Sequence, residues 1–203
     1  MTAAPHTPTT VRLTNEAFWA FCERPENADK QFELIEGIPS EMPQPKWLHQ
    51  EVVRLVVRLL IRFLDHHPLG ACYTDNTAYI LAPEVILVPD ISFIRTERLA
   101  AFVNLPDYPP FAPDLAVEVA SPSNTPVDLT EKAALYLKHG TSSVWVIYPE
   151  KRAVRFYRPA ADGGVYFYDL VGDAVLENDP VLPGFRTPIT AFFSPTKTEE
   201  SPS

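Results

Sequence analysis

Two acidic residues stand where a folding chain has little reason to place them. In VILVPDISFI, Asp90 follows Pro89 inside an otherwise apolar run, and in DLAVEVASPS, Glu118 is flanked by Leu115, Ala116, Val117, Val119 and Ala120. A buried carboxylate costs several kcal/mol unless something compensates it, and two on neighbouring strands push each other toward protonation. A hard divalent cation between them would answer both costs. Oxygen ligation, with no cysteine and no well-spaced histidine cluster nearby, favours Mg²⁺ or Mn²⁺ over zinc. A structural reading stands beside it, in which Asp90 caps a turn and Glu118 pairs with an internal Arg or Lys; pattern alone leaves both open. Pro89 cannot donate to a sheet ladder, so it marks an edge, a bulge or a bend at which Asp90 can turn toward a cleft.

A third group follows in VDLTEKAALYLKHG, where Lys132 has Asp128 and Tyr136 one helical turn to either side. A lysine on a helix is ordinarily a surface residue. Here, a strand, a loop and a returning helix would carry the Lys132 ammonium back over the end of the strand bearing Glu118.

The elements that must position these groups can be read from periodicity. Thr14 is a natural N-cap for a short amphipathic helix through Phe18, Trp19, Phe21 and Cys22. QFELIEGIPSEMP reads as a strand turning into a hairpin at Gly37. From Pro45 to His67 the chain has the clearest helical pattern, with apolar residues at Leu48, Val52, Leu55, Val56, Leu59, Leu60 and Phe63. Lys46, Gln50, Arg54, Arg58 and Arg62 form a polar, mostly basic stripe on its other face, which is either a solvated surface or a face for phosphate or a second subunit. Strand patterns follow in ACYTDNTAYIL, EVILVPDISFIR and DLAVEVAS, the last two separated by the long loop RTERLAAFVNLPDYPPFAP with room for a helical turn. After VDLTEKAALYLKHG, closed by Gly140, three further strands are joined by turns at Pro149-Glu150-Lys151 and Asp162-Gly163-Gly164. Strands on both sides of a helix predict an α/β or α+β sandwich with a mixed sheet.

The 203 residues predict one domain over 11–193, with Thr-, Ser- and Pro-rich tails at 1–10 and 194–203 expected to be disordered. No apolar run approaches the length of a membrane span and no leader pattern is visible, so a cytoplasmic protein is expected. Cys22 and Cys72 lack the spacing of a disulfide framework or a zinc site. The net charge of −9 argues against a general polyanion binder, because non-specific nucleic-acid affinity comes mainly from Lys and Arg. A nuclease is not excluded by it, since an acidic metal site contributes to the same balance.

In order along the chain, FELIEG, LHQ, VPDISF, DLAVEVASPSN and DLTEKAALYLKHGTSSVWVIYPE resemble the Uma-two family of restriction-endonuclease-like proteins, a branch of the PD-(D/E)XK nuclease superfamily. The resemblance runs from Phe32 to about Tyr157. It implies a restriction-endonuclease-like core, a central mixed β-sheet flanked by helices, with Asp90 and Glu118 as metal ligands and a lysine that stabilises charge on the scissile phosphate. Two positions after Glu118 the superfamily pattern has lysine and this chain has Ala120; Lys132 is the matching position in the Uma-two-like branch. The same resemblance points to Glu33 as a further acidic group and to His49 as a polar residue facing the site. Glu36 is the rival to Glu33, and strand alternation puts the two on opposite faces.

The implied activity is metal-assisted hydrolysis of a DNA phosphodiester. Asp90, Glu118 and the Val119 carbonyl would hold Mg²⁺ or Mn²⁺, and Lys132 would stabilise the added charge or orient the attacking water. Tyr136 would position a phosphate or simply pack. DNA is the expected substrate and a homodimer the simplest arrangement for cutting two strands. The rival readings are an inactive module of the same fold, acting in DNA binding or regulation, and a homodimeric scaffold built on the aromatic strands VWVIY and RFYR.

Overall fold

Thr14 caps the first helix as its side chain predicts: its hydroxyl accepts from the Ala17 N–H, and α1 runs Asn15–Cys22. A computed structural model describes residues 12–74, 77–102, 108–122 and 126–194. The expected tails lie outside these residues, Ser194 excepted. In chain order the elements after α1 are β1 (Phe32–Ile35), β2 (Ile38–Glu41), α2 (Trp47–Leu64), β3 (Gly70–Thr74), β4 (Tyr79–Ala82), β5 (Val85–Leu87) and β6 (Ile91–Arg95). They continue with α3 (Thr96–Phe102), β7 (Leu115–Val119), α4 (Pro126–Lys138), β8 (Ser143–Tyr148), β9 (Ala153–Pro159) and β10 (Val165–Val171).

The strands form a six-stranded sheet in the order β10-β9-β8-β7-β6-β3 and a four-stranded sheet in the order β2-β1-β5-β4. In the larger sheet β7 and β8 run parallel and the other neighbours antiparallel, so the sheet is mixed. The parallel pair needs a crossover, and α4 supplies it. That single topological fact lays α4 across β7 and β8. Helices flank the sheet on both faces. Val52, Val53, Val56 and Leu60 of α2 pack with Val117, Val119, Trp145 and Ile147 on one face, while Leu129, Ala133 and Tyr136 of α4 pack with Ala116, Val144 and Val146 on the other. Alternation along β7 therefore gives Glu118 to the α4 face and its two valine neighbours to the α2 face.

Two expectations change. ACYTDNTAYIL and EVILVPDISFIR each read as one strand, but each divides between the sheets: β3 and β6 belong to the larger, β4 and β5 to the smaller. The second division falls at Pro89-Asp90, where the proline removes a ladder donor and the chain leaves one sheet for the other. In α2, Leu48 was expected in the core and is instead 48% exposed, while His49 is buried. The buried positions His49, Val52, Val53, Val56 and Leu60 form one helical stripe, which excludes Leu48 by one residue's rotation. Along the basic stripe Arg54, Arg58 and Arg62 are exposed, and Arg54 forks onto Glu51 with bonds of 2.8 and 2.7 Å.

Asp179 ties the C-terminal segment to the sheet. Its carboxylate has no exposed surface and accepts from Ser143 Oγ at 2.8 Å, Trp145 Nε1 at 3.0 Å and the Val181 N–H at 2.9 Å. Asp179→Ala leaves those buried donors without their acceptor and is expected to lower unfolding stability by about 3 kcal/mol in urea titration. A loss below about 1 kcal/mol would show that the cluster is not an anchor.

Candidate active site

Asp90 sits at the break between β5 and β6, one step beyond the Ile91–Val117 register pair, and so across from Glu118. Its position is set by the neighbouring strand and by α2. Asp90 Oδ2 accepts from the Val119 N–H at 2.6 Å, and Oδ1 lies 3.1 Å from His49 Nε2. His49 faces this carboxylate because the first turn of α2 continues the helix's buried stripe over the sheet.

Glu118 meets α4 directly. Lys132 Nζ lies 2.9 Å from each Glu118 carboxylate oxygen, and the Tyr136 hydroxyl donates to Oε1 at 2.9 Å. Lys132 and Tyr136 are one turn apart, so both reach the strand below. Lys132 Nζ also pairs with Glu33 Oε1 at 2.8 Å, and that oxygen accepts from the Val88 N–H at 2.6 Å. Glu33 thus joins the smaller sheet to the chain just before Pro89-Asp90. Of the two rivals Glu33 is 5% exposed and turned into the cleft, whereas Glu36 lies beyond β1 as an exposed hairpin residue with φ +47°.

These groups occupy a cleft of about 380 Å³, lined by Glu33, His49, Asp90, Glu118, Val119 and Lys132. These six residues, all proposed from the sequence, therefore face one space, though they come from β1, α2, the β5–β6 break, β7 and α4. The cleft also contains Gln31, Gln50, Ser121 and Asp128, which motif reasoning did not select. Gln50 follows His49 and had been assigned to the basic stripe; Asp128 lies one turn before Lys132. Gln31 and Ser121 flank a strand end and a loop, and nothing in their local pattern marks them. Tyr136 packs in the α4 core, one of the two roles foreseen for it, and its hydroxyl also bonds the Glu118 carboxylate.

The charges are unbalanced. Glu33, Asp90 and Glu118 converge, and the cation that bridges two of them is Lys132 alone among the cleft residues named above. Burial pushes the Glu118 carboxyl up, Lys132 pulls it back, and the charges of Asp90 and Glu33 raise it again. Burial opposes the Lys132 ammonium, but attraction to Glu118 and Glu33 outweighs it and holds the amine protonated. Burial, reinforced by Glu118 and Glu33, keeps the Tyr136 phenol protonated as a donor. Glu118 accordingly has an internal cation, as the structural reading required, and the surplus of carboxylates leaves room for another.

That surplus fits a divalent ion of the oxygen-seeking kind. Among the described residues no group of three or more His, Cys, Asp or Glu is arranged to hold a metal by itself. Asp90 and Glu118 with a main-chain carbonyl are a partial donor set. A partial set suits Mg²⁺, which keeps several waters and takes phosphate oxygens, and does not suit a closed zinc cage.

The sequence matches the Uma2 family, described as "Putative restriction endonuclease", over residues 16–190. The chain belongs to the Uma2 family. The match extends beyond the motif-bearing stretch on both sides, taking in α1 and the segment anchored by Asp179. Among solved structures, the crystal structure of "a putative nuclease belonging to DUF820" from Anabaena variabilis superposes with a TM-score of 0.73 at 22% sequence identity, covering 89% of this chain and 97% of that one. At that identity the likeness is one of fold, and it places the mixed sheet and its flanking helices in a nuclease-type architecture. No curated protein matches the sequence. Among the described residues of this Uma2 chain no helix is long and apolar enough to cross a membrane.

Proposed function

We propose that this Uma2 protein is a Mg²⁺- or Mn²⁺-dependent DNA endonuclease working by a PD-(D/E)XK-type mechanism, with residues 11–193 as the catalytic unit, acting in the cytoplasm as a homodimer. The observation that carries the reading is the convergence of Glu33, Asp90, Glu118 and Lys132 in one cleft from four separate parts of the chain. Family membership supports hydrolysis of nucleic acid.

Asp90, Glu118 and the Val119 carbonyl would hold the ion. When bound, it polarises a phosphoryl oxygen and lowers the pKa of a bound water. The protein's own groups do the rest. Lys132 presents a protonated amine toward the site of developing negative charge and orients the nucleophile. Tyr136 fixes the Glu118 carboxylate, and His49 and the Val119 N–H fix that of Asp90, so neither ligand has to be ordered when substrate arrives. Glu33 sets the Lys132 ammonium from the opposite sheet. The lysine's move from the strand to α4 is chemically tolerable, because what counts is that its ammonium ends up beside Glu118.

Isothermal titration of Mn²⁺ and Mg²⁺ into wild type and Glu118→Gln checks the reading. Saturable binding in wild type and none in the variant are expected, followed by metal-dependent cutting of duplex DNA. A folded wild type that takes up no metal, with or without a duplex oligonucleotide, and cuts nothing would overturn it.

A further inference from the structure

Next to the acidic cleft lies a second cavity of about 420 Å³, and the two share His49, Ser121 and Leu129 as walls. Their chemistry differs sharply. The second cavity is walled by Leu48, Ala120, Pro122 and Pro149, with Tyr148 at one side. Lys46 and Lys151 stand at it, with Glu150 between Pro149 and Lys151. A chain of net charge −9 thus places two ammonium groups beside an apolar hollow that adjoins its carboxylate cluster.

We propose that this second cavity receives an unstacked nucleobase of the DNA strand, adjacent to the phosphate bound in the cleft, with Tyr148 as its stacking surface. The inference rests on the endonuclease reading and adds to it a subsite for the flanking nucleotide. Three features point to this occupant. The cavity falls in the range of pockets that enclose a small aromatic ligand, roughly 300–1,000 Å³. Shared walls at His49, Ser121 and Leu129 put an occupant of this cavity next to whatever the cleft binds, as a base lies next to its neighbouring phosphate. Finally, an apolar hollow beside isolated cations repeats the alternation of base and phosphate along a strand, and aromatic stacking with backbone neutralisation is how single-stranded nucleic acid is held without sequence preference.

Lys151 Nζ lies over the Tyr148 ring, 5.5 Å from its centre, so a base that stacks on Tyr148 displaces this ammonium from the ring face toward the neighbouring phosphate. The exposure of Leu48, anomalous for a helix otherwise packed on the sheet, is accounted for by the same occupant: its side chain is a wall of the base site.

The test uses the full chain carrying Asp90→Asn, expected to hold DNA without cutting it, and fluorescence anisotropy with labelled duplexes having an abasic site at each position in turn. Adding Tyr148→Ser is expected to weaken binding of the intact duplex about tenfold, whereas Tyr148→Phe retains it. At one abasic position the Tyr148→Ser loss should vanish, because the base that stacked there is gone. Equal binding by Tyr148→Ser and its parent on every duplex, or an equal loss at every abasic position, would overturn the inference while leaving the endonuclease reading in place. Absence of any DNA binding by Asp90→Asn and by wild type alike would remove that reading, and the inference with it. If Tyr148→Ser does not fold, Leu48→Ser, at an exposed wall position, replaces it with the same expectation at about threefold.

Discussion

Lys132→Met is expected to lower unfolding stability by about 3–5 kcal/mol and to abolish cleavage. The ammonium side chain is only 11% exposed and lies between two carboxylates that are 7% and 6% exposed. Methionine matches the length of the aliphatic stem and keeps its packing, so the loss reports the charge. Removing one partner of a buried pair costs far more than the pair contributes, since the remaining charge has neither water nor a counter-ion. Glu118 can limit the damage by taking a proton, toward which burial already biases it. The double variant Lys132→Met, Glu118→Gln should therefore recover part of the loss, the Tyr136 hydroxyl still finding an acceptor in the glutamine amide. Chemical denaturation of the four proteins of this cycle measures the coupling. A Lys132→Met variant as stable as wild type, or a double variant no better than the single, would refute the arrangement. Activity should not return with the recovered stability, because no other cation replaces the amine at the reacting phosphate.

Asp90→Asn is expected to separate catalysis from folding in the opposite sense. The amide is the same shape and its oxygen still accepts from the Val119 N–H, so the thermal midpoint should stay near that of wild type. Metal affinity and metal-dependent cleavage should fall on the order of a hundredfold or more, since one of two anionic ligands is lost. His49→Gln offers a finer measure. His49 touches Asp90 and is a positioning residue, so its replacement should weaken metal binding by about tenfold without removing it. Retention of full cleavage by Asp90→Asn would place the metal elsewhere; collapse of its fold would show that the carboxylate serves structure first.

Both expectations depend on residues that the sequence singles out for a physical reason. A charge inside an apolar run is costly wherever the run folds, so Asp90 and Glu118 were visible from neighbouring residue types alone. Thr14, Gly37 and Gly140 marked their boundaries because capping and turn chemistry is local. Alternation put Glu33 and Glu36 on opposite faces without choosing between them, because both faces of β1 are buried and Glu36 falls in the turn beyond it. What local pattern could not supply was the rotation of α2 about its axis: His49 and Leu48 are neighbours, and only packing against the sheet decided which of them turned inward.

The division of two apparent strands between two sheets was hidden for a similar reason. A strand's hydrophobic pattern reports that it is buried, and hydrogen-bond partners far along the chain decide in which sheet. The sequence by itself determined the two carboxylates in apolar runs and the elements that carry them, because the energetic penalty of a misplaced charge and the preferences of caps and turns are properties of short segments; Lys132 and Glu33 were assigned to the site through the family resemblance. Tertiary structure alone decided that Lys132 bridges Glu33 and Glu118, that Tyr136 holds Glu118, and that an apolar cavity adjoins the acidic one. Each of those contacts joins elements brought together by the crossover between β7 and β8 and by the closure of two sheets around Pro89-Asp90, and such long-range closures leave no trace in local periodicity.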